Sequence, residues 1–285
     1  MSTLSDRGPE KTIRQIDEAI EPFELHFEAA IFDLDGVITQ TAALHFTAWK
    51  RMFDEFLQIH AASHHEPFRE FTHAHDYLTY VDGRPRYEGV EAFLKSRGIG
   101  LSHGLPTDLP GTETICGLGN RKNALFNQVI ESDGVRVFDS TVALIGELMR
   151  RGIKIGLATS SRNSAAILQK SGIAHLFASV VDGIVSDKMG LRGKPEPDIF
   201  SMAAANLGVP NARAIVVEDA VSGIQAGARG GFALVIGVAR ENNAQELRDY
   251  GADLVVTDLG ETTADDISRR VFAKGRSPKA VFNSL

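Results

Sequence analysis

From about residue 135 onward the chain alternates short runs of branched apolar residues with single helix-length segments, and this alternation narrows the folds open to it. Ile153-Lys-Ile-Gly-Leu-Ala158, the stretch 180–184, Ala214-Ile-Val-Val217, Ala233-Leu-Val-Ile236 and Leu254-Val-Val256 read as strands. Helical segments at about 140–151, 163–171, 197–207 and 221–229 lie between them. Strands that are apolar along their whole length are buried on both faces, and single helices between them make βαβ units around a parallel sheet. An earlier run, residues 27–34, supplies one more strand of this kind. The expected fold is α/β, with a Rossmann-like parallel-sheet core.

The regular pattern is interrupted straight after that first strand. From Ala42 to about Ile59 the period becomes helical, with Leu44, Trp49, Met52, Phe53, Phe56 and Leu57 on one broad face. Residues 60–120 hold helical fragments broken by Pro67, Pro85, Pro106 and Pro110, and 121–131 are helical again. The expected organisation is a core of residues 27–40 and 133–285, a helical insertion of residues 41–132, and an N-terminal extension of residues 1–26. In that extension Ile13, Ile16 and Ile20 form a helical stripe that ends at Pro22.

Polar residues gather where the strands end: Asp33 and Asp35, Thr159 and Ser160, Glu218 and Asp219. Open parallel sheets bind ligands at this rim. Asp33 and Asp35 would point to one side if strand geometry persisted, and Gly36 permits the turn that follows. Paired carboxylates repel each other unless a cation or a shared proton lies between them. With Glu218 and Asp219 the rim carries four, a load that fits Mg2+, which prefers hard oxygen ligands. Solvated acidic loops are the bland alternative, but each pair terminates an apolar strand rather than a polar run.

An acidic pocket rejects phosphate unless positive groups help. Lys194, in Gly193-Lys-Pro-Glu-Pro-Asp198, offers a compact charge, and Thr159 offers a hydroxyl beside the start of the next helix. The expected chemistry is phosphoryl transfer. Asp33, ionised at neutral pH, attacks phosphorus, Mg2+ bridges it to a transferring oxygen, and Lys194 with Thr159 offsets the developing charge. Asp35 is the candidate general acid/base.

Net charge of −7 argues against a broad grip on nucleic acid, and no apolar run is long enough to span a membrane. Cys116, the single cysteine, excludes an internal disulfide and a cysteine cluster for zinc. A cytoplasmic enzyme is the expectation. His60 and His64 have helical metal-ligand spacing, but no cysteine joins them and their surroundings are polar. There is no phosphate-binding Gly-x-x-x-x-Gly-Lys-Ser/Thr loop and no Gly-x-Ser-x-Gly elbow, and Gly117-Leu-Gly119-Asn fails as a dinucleotide fingerprint.

Taken together, Asp33-Leu-Asp-Gly-Val-Ile, Thr159-Ser160, Lys194-Pro-Glu-Pro-Asp and Glu218-Asp219-Ala-Val-Ser-Gly223 resemble the four ordered motifs of the haloacid dehalogenase-like phosphotransferases. The similarity runs from Ala29 to about Asp258. It implies that the helical insertion is that superfamily's mobile cap. It also implies a metal site made of the Asp33 side chain, the Asp35 backbone carbonyl and the Glu218/Asp219 pair.

Within the superfamily the chain is most similar to the β-phosphoglucomutases. Thr39-Gln-Thr-Ala-Ala-Leu-His45 with Trp49 resembles their hinge and first cap helix, which implies substrate roles for Thr41, His45 and Trp49. Gly83-Arg-Pro-Arg-Tyr-Glu-Gly89 resembles the cap loop that grips the distal phosphate, with Arg86 in the matching place. Arg121-Lys-Asn123 resembles the segment that brings Lys122 and Asn123 to the sugar phosphate, and Thr159-Ser-Ser-Arg-Asn163 makes Ser160, Ser161, Arg162 and Asn163 further contacts. The implied partner is a small phosphorylated sugar, with a sugar 1,6-bisphosphate as activator; no protein partner is indicated.

The pattern departs from those enzymes at Gln40, where an aspartate is usual, and at Gly89, where a serine touches substrate. The stretches 59–80 and 98–119 are also longer. Two reactions therefore stay open, a phosphosugar mutase and a phosphosugar phosphatase. A non-catalytic regulator on this fold would lack Asp33, Asp35 or Lys194, and all three are present.

Overall fold

The computed structural model describes residues 25–276, so the helical stripe at 13–20 lies outside the described residues. Six strands form one sheet: β1 (Ala29–Phe32), β2 (Lys154–Ala158), β3 (Ser179–Val181), β4 (Ala214–Glu218), β5 (Leu234–Val238) and β6 (Leu254–Val256). They run in the order β3-β2-β1-β4-β5-β6, and every neighbouring pair is parallel. Side chains alternate between faces along a strand. Ala29 and Ile31 of β1, with Ala214 and Val216 of β4, pack into one apolar layer; Ala30, Phe32, Ile215 and Val217 pack into the other. Both layers are closed to solvent, which is why these strands read as unbroken apolar runs.

Helices complete the two layers. α4 (Asp139–Arg150) sets Leu144, Ile145 and Leu148 into one of them, followed in chain order by α5 (Ser164–Ser171) and α6 (Gly183–Met189). α7 (Asp198–Asn206) closes the opposite face with Ile199, Phe200, Ala203 and Ala204. α8 (Val221–Arg229), α9 (Ala244–Asp249) and α10 (Ala264–Arg276) complete the core.

The insertion carries helices αA (Ala42–His64), a wide π-type helix (His73–Val81), αB (Arg86–Ser96) and αC (Ile115–Asp133). Its centre is aromatic: the Phe53 ring lies 4.8 Å from Phe71 and 4.3 Å from Phe93. The two chain crossings between insertion and core are paired. Thr39 and Val137 form an antiparallel bridge, flanked by hydrogen bonds from Gln40 N–H to Arg136 O and from Phe138 N–H to Ile38 O, both 2.9 Å.

Several elements differ from the sequence expectation. αA runs to His64 rather than stopping near Ile59. Ile184 belongs to α6 and not to a strand, because the Asp182 carboxylate accepts from Ile184 N–H at 3.0 Å and Val185 N–H at 2.9 Å and so starts a helix. Gly117-Leu-Gly119-Asn sits inside αC as a packing device. A Cβ on Gly117 would lie 2.3 Å from Thr112 O, and one on Gly119 would lie 2.7 Å from the Tyr87 ring. Asn120 then accepts from the Tyr87 hydroxyl at 3.0 Å and donates to Asp108 O at 2.8 Å, tying the long 98–114 loop to αB.

Candidate active site

The strand order reverses between β1 and β4, and a sheet of this kind opens a crevice at such a point. Asp33 follows β1 directly, with its N–H bonded to Val217 O at 2.9 Å, and Glu218 closes β4. Asp33, Glu218 and Asp219 each offer a carboxylate oxygen within 4.8 Å of the others, the one group of this kind among the described residues able to hold a metal. Lys194 Nζ donates to Asp33 Oδ1 at 2.6 Å and to Glu218 Oε2 at 2.7 Å, with all three side chains buried. Glycine is required on both sides of the cluster. Gly36, at φ +84°, would place a Cβ 1.8 Å from Asp219 Oδ2, and Gly223 would place one 2.1 Å from the Glu218 carboxyl carbon.

The charges explain what the cluster needs. Burial, followed by repulsion from Glu218, pushes the Asp33 and Asp219 carboxyls well above the usual carboxylate range. Burial also pushes Asp82, a residue of the insertion, up to about 7. Burial opposes the charge on Lys194, but Asp33 and Glu218 overcome it and raise its pKa. One ammonium against three clustered carboxylates leaves an excess of negative charge, which a divalent cation with oxygen ligands neutralises. The residues fit such an ion.

Asp35 is separate from this cluster. Strand geometry does not persist to Asp35, because β1 ends at Phe32 and the chain turns at Gly36, yet both carboxyls line the same cavity. The Thr41 hydroxyl donates to Asp35 Oδ1, and His45 Nε2 approaches the same oxygen to 3.3 Å without an aligned hydrogen bond. Despite burial, His45 and Thr41 hold the Asp35 carboxyl below its ordinary value. Lys122 Nζ lies 2.6 Å from His45 Nδ1. A donated Lys122 N–H fills Nδ1 and leaves the imidazole proton on Nε2, facing Asp35. Burial and then Lys122 lower the His45 pKa; burial and then Arg86 lower that of Lys122 far more.

Trp49, Arg86, Thr159, Ser160, Ser161, Arg162 and Asn163 line the same cavity, whereas Asn123 is off its lining and bonds to two residues that are on it. Arg86 donates to Asn123 Oδ1 at 2.8 Å, and Asn163 Nδ2 donates to that oxygen at 2.8 Å. Trp49 is buried, with Lys122 Nζ 5.1 Å from its ring centre. Thr159 is buried, and its hydroxyl accepts from Ser161 N–H at 3.0 Å. Arg162 also lines the cavity and pairs with Asp187. The loop 81–86 is docked on the core: Ser160 Oγ donates to Gly83 O at 2.9 Å and Ser222 Oγ donates to Asp82 O at 3.3 Å. The cavity measures about 70 Å³, room for a few waters only. Here the insertion rests on the core over this cavity through the 81–86 loop.

The sequence reading missed Tyr77, Asp82 and Arg84, which line the cavity from the insertion side. Asp82-Gly83 reads as a turn and is one, but nothing in its spacing says which way the turn faces.

A family model described as haloacid dehalogenase-like hydrolase matches residues 27–231. The chain belongs to the haloacid dehalogenase-like family. Among curated haloacid dehalogenase-like relatives, a β-phosphoglucomutase of Mycobacterium tuberculosis is 44% identical over 236 residues, covering 82% of this chain and 90% of the relative. A phosphorylated carbohydrates phosphatase of Thermotoga maritima is 27% identical over 233 residues, covering 80% of this chain and 94% of the relative. The crystal structure of a β-phosphoglucomutase from Clostridium difficile superposes with a TM-score of 0.68 at 25% identity, covering 87% of this chain and 98% of that one.

Proposed function

We propose that this chain is a Mg2+-dependent phosphosugar mutase that interconverts β-glucose 1-phosphate and glucose 6-phosphate. The observation that carries the reading is a single cavity lined by basic side chains from both sides, Lys194 beside Asp33 on the core and Arg86 with Lys122 on the insertion, which this reading takes as its two ends. A mutase needs both. One end serves the phosphoryl group in transit, and the other grips the phosphate that stays on the sugar. The relative named β-phosphoglucomutase, matched along most of both chains, supports the same choice.

In this reading the Asp33 carboxylate carries the phosphoryl group as an aspartyl-phosphate. The sugar 6-hydroxyl attacks phosphorus, the bond to the Asp33 oxygen breaks, and Asp35 takes the hydroxyl proton, giving the 1,6-bisphosphate. The bisphosphate turns over between the two ends. Asp33 then attacks the phosphorus on O1, Asp35 returns its proton to the departing O1, and glucose 6-phosphate leaves with the phosphoenzyme restored. Mg2+, held by the Asp33, Glu218 and Asp219 carboxylates and the Asp35 carbonyl, would neutralise charge on the phosphoryl oxygens. Lys194 and Thr159 do the same from the protein, and Thr41 and His45 set the position of the Asp35 carboxylate. The closed cap excludes water that would otherwise take the phosphoryl group.

The test supplies β-glucose 1-phosphate, a trace of β-glucose 1,6-bisphosphate and Mg2+, and follows glucose 6-phosphate and free phosphate together. Glucose 6-phosphate as the dominant product supports the mutase. Free phosphate as the dominant product refutes it in favour of a phosphosugar phosphatase.

A further inference from the structure

Asp82 takes no part in the mechanism above, yet it reaches the cavity that holds the nucleophile. Its place there is built from three sides. Its N–H donates to Tyr77 O at 2.9 Å, at the end of the π-type helix. Its carbonyl accepts from Ser222 Oγ at 3.3 Å, and the carbonyl of the next residue, Gly83, accepts from Ser160 Oγ at 2.9 Å. The first turn of α8 and the loop after β2 therefore hold two successive backbone carbonyls and fix where the side chain starts. The Tyr77 side chain lines the cavity beside Asp82, near enough for the phenol and the carboxyl to influence each other electrostatically.

What such a carboxyl can recognise follows from its neighbours. It is outside the Asp33, Glu218 and Asp219 group that fits a metal, and Lys194 makes its hydrogen bonds to Asp33 and Glu218. A phosphate dianion offers no donor and is repelled by a carboxylate. The groups of a phosphosugar that can satisfy Asp82 are its hydroxyls. A hydroxyl can pair with this side chain whether the carboxyl is ionised or protonated, since each form keeps acceptor capacity. The Tyr77 hydroxyl beside it adds a second polar atom for the same purpose.

We propose that Asp82, braced by Tyr77, is a specificity-determining residue that accepts a hydrogen bond from one ring hydroxyl of the phosphosugar when the cap closes. The inference rests on the phosphosugar reading above and deepens it. A site that binds a substrate hydroxyl rejects the analogue lacking it, because the protein group is then left unpaired. Asp82 would thus favour sugars with that hydroxyl over phosphorylated compounds of similar size.

The experiment measures kcat/KM for β-glucose 1-phosphate and its 2-, 3- and 4-deoxy analogues with the wild type, Asp82→Ala and Asp82→Asn. The ratio of parent to analogue within one enzyme cancels any loss of folded protein. One deoxy analogue is expected to lose roughly 10- to 100-fold in the wild type, and that penalty should shrink to less than about threefold in Asp82→Ala. Asp82→Asn keeps the shape and a carbonyl acceptor, so it should retain an intermediate penalty for the same analogue. If all three penalties are the same in all three enzymes, Asp82 reads no hydroxyl and the proposal fails, even if the variants change the Mg2+ requirement. If the wild type turns over none of these sugar phosphates to either product, the phosphosugar reading falls and takes this inference with it.

Discussion

Gly83→Ala separates closure from folding. Gly83 has φ +69°, and a Cβ there would lie 2.3 Å from Ser222 Oγ and 3.0 Å from Ala220 Cβ. Both neighbours belong to the core, so the collision exists only while the insertion is docked. The positive φ costs an alanine about 1 kcal/mol in any state of the protein. Relieving the collision means backing the loop away from the core. That strands the hydrogen bonds from Ser160 to Gly83 O and from Ser222 to Asp82 O, each worth about 0.5–1.5 kcal/mol. The closed form should therefore lose about 1–3 kcal/mol relative to the open one, which is roughly a 5- to 150-fold drop in turnover if closure precedes chemistry. Two assays read the two effects: kcat for mutase turnover, and Tm by calorimetry, which should fall only a few degrees. Truncating the obstructing hydroxyl in Gly83→Ala/Ser222→Ala should recover part of the loss. A kcat within about threefold of wild type, or a loss matched by global destabilisation, would refute the reasoning.

Asp33→Asn should abolish an acid-stable, base-labile phosphoenzyme, read by acid quench with labelled phosphosugar; retained labelling would move the nucleophile elsewhere. Lys194→Met removes the ammonium between Asp33 and Glu218 and leaves their carboxylates buried without it, so stability should fall by about 3–5 kcal/mol in chelator, measured by urea melts. Mg2+ added to chelated wild type should raise Tm, by the equivalent of about 2.7 kcal/mol at a hundred times its Kd; a Tm blind to Mg2+ would argue against the carboxylate cluster as its site. Gly119→Ala drives a methyl to within 2.7 Å of the Tyr87 ring and should cost about 1–3 kcal/mol of stability, and an unchanged melt would mean that αC and αB part without penalty.

The core was legible because its physics is local. A strand buried on both faces reads as an apolar run, and a carboxylate that ends or directly follows such a run sits at the sheet rim, so Glu218 and Asp33 announce themselves. The insertion is less legible, since its contacts join residues far apart in sequence. Lys122 meets His45 across 77 positions and Arg86 meets Asn123 across 37. The resemblance brought those residues together as candidates, but their pairing is visible only in the fold. Asp82 had no signal at all, because a turn reads the same whether it faces solvent or a cavity. The π-type helix at His73–Val81 was hidden for a related reason: its hydrogen bonds run five residues back, as from Tyr77 N–H to Thr72 O at 3.0 Å, off the usual helical period.

The bridge between Thr39 and Val137 bears on how such a protein can be rebuilt. It leaves the two ends of the insertion side by side, a hydrogen bond apart, on a core whose sheet never passes through them. A transplanted segment need only match two adjacent chain ends, and the sheet would not have to be rethreaded. Recombination could exchange the insertion while leaving Asp33 and its acidic neighbours untouched, so under the proposed function new specificities should be reachable by grafting as well as by point substitution.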